Sequence, residues 1–118
     1  MITDAGMNDL LRPSHYASYH LIENAEAHSG REEMSVDIVG PICETGDTFA
    51  MDREMDALSI GDLAVFRTAG AYGATMASSY NSRGFVPEVL VDGSRFAVVA
   101  DRIDPAAIMA AERVPEWL

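Results

Sequence analysis

Turn signals recur roughly every ten residues along this chain, and that spacing restricts it to short strands joined by tight loops. Gly30, Gly40-Pro41, Gly46-Asp47, Ile60-Gly61-Asp62, Gly70, Gly73, Asn81-Ser82-Arg83-Gly84 and Asp92-Gly93 supply them. Met34-Ser35-Val36-Asp37-Ile38-Val39 alternates apolar and polar residues with period two, the pattern of a half-buried strand. Residues 19–26 alternate more loosely and predict a second strand, 27–33 a loop, and 47–56 a short strand or irregular connection. Residues 63–67 predict a largely buried strand. Residues 87–91 and 95–100 flank Asp92-Gly93 and predict a hairpin. Helical pieces are short. Pro13 opens a single turn through Tyr16, residues 74–80 predict a short helix, and Asp104-Pro105 starts a last helix running to about residue 112. The sum predicts a mainly β domain with short helices, a sandwich or partly closed barrel. At 118 residues it is expected to be one domain, residues 1–118, with room for a modest core.

The formal net charge of -11 argues against nucleic acid and anionic membrane surfaces as partners. No apolar run approaches the roughly 20 residues of a membrane helix. Residues 1–4 carry no basic segment followed by an apolar one, so no secretory signal is expected there. One cysteine makes no internal disulfide, which leaves the cytoplasm as the expected compartment. All eight basic residues are arginine. Chemistry that requires a lysine Schiff base therefore cannot be completed by this chain alone.

The lone cysteine sits in Gly40-Pro41-Ile42-Cys43-Glu44-Thr45-Gly46-Asp47. Pro41 stiffens the entry to this loop and Gly46 allows a sharp exit, so a thiol and a carboxylate are presented side by side. Such a pair suits proton transfer or grip on an ammonium group. On composition alone a single cysteine is more often a small buried hydrophobe. His15, His20 and His28 match no metal-ligand spacing, so no metal is expected. The methionines read as core filler.

Four pieces, this loop among them, line up. They are Asp4-Ala5-Gly6-Met7-Asn8-Asp9-Leu10-Leu11-Arg12-Pro13 with Tyr16, then the Cys43 loop, then Gly70-Ala71-Tyr72-Gly73, then Tyr80-Asn81-Ser82-Arg83 with Glu88-Val89-Leu90-Val91-Asp92-Gly93 beyond. In this order and spacing the chain closely resembles the C-terminal part of the diaminopimelate decarboxylases, over nearly its whole length. The resemblance implies a pyridoxal-phosphate enzyme that converts meso-diaminopimelate to L-lysine and CO2. It implies a C-terminal β domain whose companion, an N-terminal α/β barrel holding the cofactor through a lysine, has no counterpart in these residues. It also implies a homodimer in which the Cys-Glu loop of one protomer reaches into the barrel of the other. Cys43 matches the family's proton donor, Glu44 a substrate contact across the dimer, and Arg12 and Tyr16 further substrate contacts. Tyr72 matches a residue touching both cofactor and substrate.

The chemistry suits these roles. Loss of CO2 leaves an electron pair at the α-carbon, and a thiol is a competent acid to protonate it. The distal end of diaminopimelate carries an ammonium, which Glu44 can pair, and a carboxylate, which Arg12 can grip bidentately. Tyr16 lies four residues after Arg12, on the same face of a helical turn. With no lysine, the chain is expected to be inactive alone. Two other readings stand beside this one: a decarboxylase of another basic amino acid, and a stand-alone β module that binds a partner and catalyses nothing.

Overall fold

The computed structural model describes residues 1–26 and 29–118; Ala27 and His28, at the start of the predicted 27–33 loop, lie outside the described residues. Two compact units emerge, Met1–Ala77 and Ser78–Leu118.

Among the described residues of the first unit a short helix, α1 (Arg12–Tyr16), is followed by four strands: β1 (Ile22–Asn24), β2 (Glu33–Val39), β3 (Thr48–Asp56) and β4 (Ala64–Phe66). Pro13 occupies the first turn of α1, where its missing N–H costs nothing, and Ala17 closes the helix in the left-handed conformation. β2 pairs antiparallel with β3, and β1 pairs antiparallel with β4. The N-terminal residues add a short parallel contact to β2, with Thr3 N donating to Val39 O (2.9 Å) and Val39 N to Met1 O (3.0 Å).

The β2–β3 register slips on either side of Ile38. Near that irregularity Asp52 takes a φ of 47° and donates its N–H to Asp37 Oδ1 at 3.0 Å. An extra residue of this kind bends the strand and changes which side chains face inward. It leaves Phe49, Ala50 and Met55 buried and Met51 exposed. These pack with Leu10, Ile22 and the fully buried Ile38. Phe66 of β4 meets Phe49 edge to face at a centroid distance of 4.7 Å. Buried His20 shares a hydrogen bond between its Nδ1 and Arg67 O (3.0 Å), which holds the ends of β1 and β4 together.

The second unit carries the hairpin β5 (Glu88–Asp92) and β6 (Arg95–Ala100), then α2 (Pro105–Met109). Gly93 supplies the positive φ, 61°, that a two-residue turn demands. Phe85 and Ile103 exchange backbone hydrogen bonds of 2.9 and 3.1 Å. Among its described residues none is buried: Val89, Leu90, Val91, Phe96, Val98 and Val99 are all exposed on the hairpin.

The chain is mainly sheet with a few short helices, as its turn spacing predicts. Several elements differ from expectation. Within 47–56, Thr48–Asp56 forms a nine-residue strand, the longest among the described residues, rather than a short or irregular link. β4 is half-buried rather than largely buried. In place of a helix over 74–80 there are two 3-10 turns, Ala74–Met76 and Tyr80–Ser82, separated by extended Ala77. The last helix ends at Met109, and Asp104 precedes it without a side-chain cap. Met55 is core, whereas Met34, Met51 and Met109 are exposed. Among the described residues no helix is long and apolar enough to cross a membrane.

Candidate functional site

Three segments of the first unit carry the predicted site residues, and local backbone bonds shape the first two. The first is the turn leading into α1. Asp9 N and Leu10 N both donate to Gly6 O (2.8 and 3.2 Å), Gly6 N donates to Asp9 Oδ2 (2.9 Å), and His15 N donates to Leu11 O (3.0 Å). The second is the Cys43 loop, closed at its base by Gly40 N donating to Asp47 O at 2.9 Å. Inside it Glu44 N donates to Ile42 O (2.8 Å) and Asp47 N to Glu44 O (3.1 Å). The third is the loop after β4, where Tyr72 takes a φ of 65°. A bulky residue in that region is held there against its own preference.

Cys43 is exposed, so the reading of it as a buried hydrophobe is set aside. Glu44 is exposed too, and its Oε1 accepts the Gly46 N–H at 3.2 Å, so the carboxylate helps shape the loop as well as facing solvent. Gly46 packs beside α1: a Cβ there would lie 3.2 Å from Ser14 Oγ. Tyr16 and Tyr72 are 60% and 59% exposed. The Arg12 guanidinium lies over the Tyr72 ring, 5.3 Å from its centroid. Such stacking orients the planar fork while leaving its donors available to a carboxylate. Tyr16 meets the His15 ring edge on at 5.5 Å. The fold thus brings Arg12 and Tyr72 together from sixty residues apart and sets the Cys43 loop against the helix that carries Arg12 and Tyr16.

Asp47 is the residue that motif reasoning passed over. It is 3% exposed, and each carboxylate oxygen accepts a different backbone N–H: Oδ1 that of Met7 (2.7 Å) and Oδ2 that of Ile42 (2.6 Å). An Asp at the end of a Gly-rich turn is a usual partner for nearby backbone N–H groups, and that was the available signal.

An apolar groove of about 900 Å³ runs along Ile2, Met34, Met55, Leu63 and Phe66 and includes none of the predicted site residues. Among the described residues no three His, Cys, Asp or Glu groups gather as a metal ion would require.

Residues 1–70 match the family model for the pyridoxal-dependent decarboxylase C-terminal sheet domain. The chain is 47% identical over its whole length to a diaminopimelate decarboxylase of Zymomonas mobilis, and 43% identical over 98% of its length to one of Archaeoglobus fulgidus. Its fold superposes on a diaminopimelate decarboxylase of M. jannaschii solved in complex with L-lysine, with a TM-score of 0.91 and 38% identity over 99% of the chain. It spans only about a quarter of these proteins: 28%, 27% and 26% of their respective lengths.

Proposed function

The chain belongs to the pyridoxal-dependent decarboxylase family, as its C-terminal sheet domain, and from that premise we propose that it supplies part of the active site of a diaminopimelate decarboxylase. Residues 1–118 act as the C-terminal β domain of a longer enzyme that releases CO2 from meso-diaminopimelate and yields L-lysine. The observation that carries this reading is the Arg12–Tyr72 pair beside the Cys43 loop, in a chain similar along its whole length to enzymes of that name.

The family's cofactor, when bound, supplies an electron sink for the pair left at the α-carbon. The residues of this chain fit only its periphery. No lysine exists here to hold it covalently, and the donor this chain offers to its phosphate is the exposed Tyr72 hydroxyl. The rest of that site belongs to an α/β barrel. Cys43 holds a proton on Sγ for delivery to the α-carbon. Arg12 grips the distal carboxylate, oriented by Tyr72, with Tyr16 alongside. Glu44 pairs with the distal ammonium. A closed loop that turns Cys43 and Glu44 toward solvent suits a homodimer in which the loop enters the neighbouring protomer's barrel. The exposed apolar hairpin suits a domain that is covered in a longer protein. The single cysteine favours the cytoplasm.

The test is carried out on the complete enzyme with meso-diaminopimelate, lysine and ornithine as alternative substrates. Preference for meso-diaminopimelate is expected, together with a Cys43→Ala variant whose kcat falls by about 10²–10⁴ with little change in KM. Preference for ornithine or lysine would assign the domain to a decarboxylase of another basic amino acid. No turnover of any of the three would favour a non-catalytic binding module.

A further inference from the structure

Among the described residues Asp47 is the only buried acid. An unpartnered carboxylate in that position would carry a heavy desolvation cost, so its partners define its role. They are two backbone N–H groups from different segments. Met7 N belongs to the turn that leads into α1, and Ile42 N immediately precedes Cys43. The loop makes room for this: a Cβ at Gly40 would overlap the Asp47 carboxylate.

We propose that Asp47 is a positioning residue that sets the Cys43–Glu44 loop in register with the segment carrying Arg12 and Tyr16. The proposal rests on the roles read above for Cys43 and Arg12. A carboxylate is the group the geometry needs, because it offers two acceptor oxygens to two donors. The amide of asparagine has one acceptor, and its NH2 would face an N–H. From Met7 the constraint passes through the bonds onto Gly6 O and Leu11 O into α1; from Ile42 it passes directly to Cys43. One side chain therefore spaces the proton donor from the carboxylate grip. Misplacement of reacting groups by about 1 Å can cost on the order of 100-fold in rate.

The experiment is a double-mutant cycle in the complete enzyme. Asp47→Asn is expected to lower kcat by about 10- to 100-fold. It is also expected to raise KM for meso-diaminopimelate, since the Arg12 segment loosens as well. A purely structural defect would scale kcat with the folded fraction and leave KM alone. In a Cys43→Ala background the same substitution is expected to cost less than about twofold in kcat, because no donor remains to be misplaced. Equal costs in both backgrounds, or unchanged kcat and KM, would overturn the proposal. Gly40→Ala displaces the carboxylate while keeping its charge, and it should show the same coupling to Cys43 if Asp47→Asn fails to fold.

If the parent enzyme shows no turnover, the functional reading fails but the clamp is still decided by amide exchange. Exchange at Met7 or Ile42 should be at least about tenfold faster in Asp47→Asn, with the Ile38 amide unchanged. No acceleration at either amide refutes the clamp.

Discussion

Replacing Gly40 by alanine should destabilise the protein, whereas the same change at Gly70 should not. Neither glycine has a positive φ, so alanine meets no backbone penalty at either site. By restricting the unfolded chain, Gly→Ala at a compatible position is worth about 0.4–1 kcal/mol of stability. At Gly70 nothing lies within 4 Å of a new Cβ, and that gain should be seen in full. At Gly40 the Cβ runs into the Asp47 carboxylate, which must move away from the N–H groups it accepts at 2.7 and 2.6 Å. A hydrogen bond to a charged group contributes about 1.5–3 kcal/mol. Losing one of the two and subtracting the entropic gain leaves a net loss of roughly 1–2 kcal/mol. Thermal unfolding of the complete enzyme, monitored for the transition of this domain, reads the difference as a Tm lowered by a few degrees for Gly40→Ala and unchanged or raised for Gly70→Ala. A Gly40→Ala protein as stable as its parent would refute the close packing of Gly40 on the carboxylate.

Further outcomes follow from other contacts. Ile38→Ala removes a fully buried side chain and should cost about 2–5 kcal/mol in denaturation, whereas Met51→Ala, exposed on the neighbouring strand, should stay within about 0.5 kcal/mol. The Asp62 carboxyl is held below the usual carboxylate range by the Arg31 guanidinium, assisted by the Ser59 N–H. A depressed folded pKa gives stability that is complete above about pH 4 and lost as pH falls through the folded value. Asp62→Asn should therefore flatten the acid limb of a stability–pH profile, and an unchanged limb would exclude that pair as a contributor. Arg12→Lys keeps the charge but loses the fork and the stacking on Tyr72; KM for meso-diaminopimelate should rise about tenfold with a smaller change in kcat.

The strand at 33–39 was legible because its period-two alternation runs straight into Gly40-Pro41. The one at 48–56 was not, because the extra residue near Asp52 shifts the phase and mixes acids among its apolar positions. The predicted helix over 74–80 failed for a related reason: Ala77 is extended and Asn81 has a φ of 57°, so neither turn propagates. Cys43, Glu44, Arg12, Tyr16 and Tyr72 are proposed as site residues from a family pattern. The stacking of Arg12 on Tyr72 and the bond from Met7 to Asp47, forty residues along, depend on tertiary contacts that spacing does not encode.

The most direct measurement is CO2 release from meso-diaminopimelate in the presence of pyridoxal phosphate, first with this chain alone and then with the chain co-expressed with a matching α/β barrel segment. Silence alone and turnover in combination is the predicted result, because the chain has no lysine and carries only its share of the site. Turnover by the chain alone, or silence from a folded and associated pair, would contradict the account.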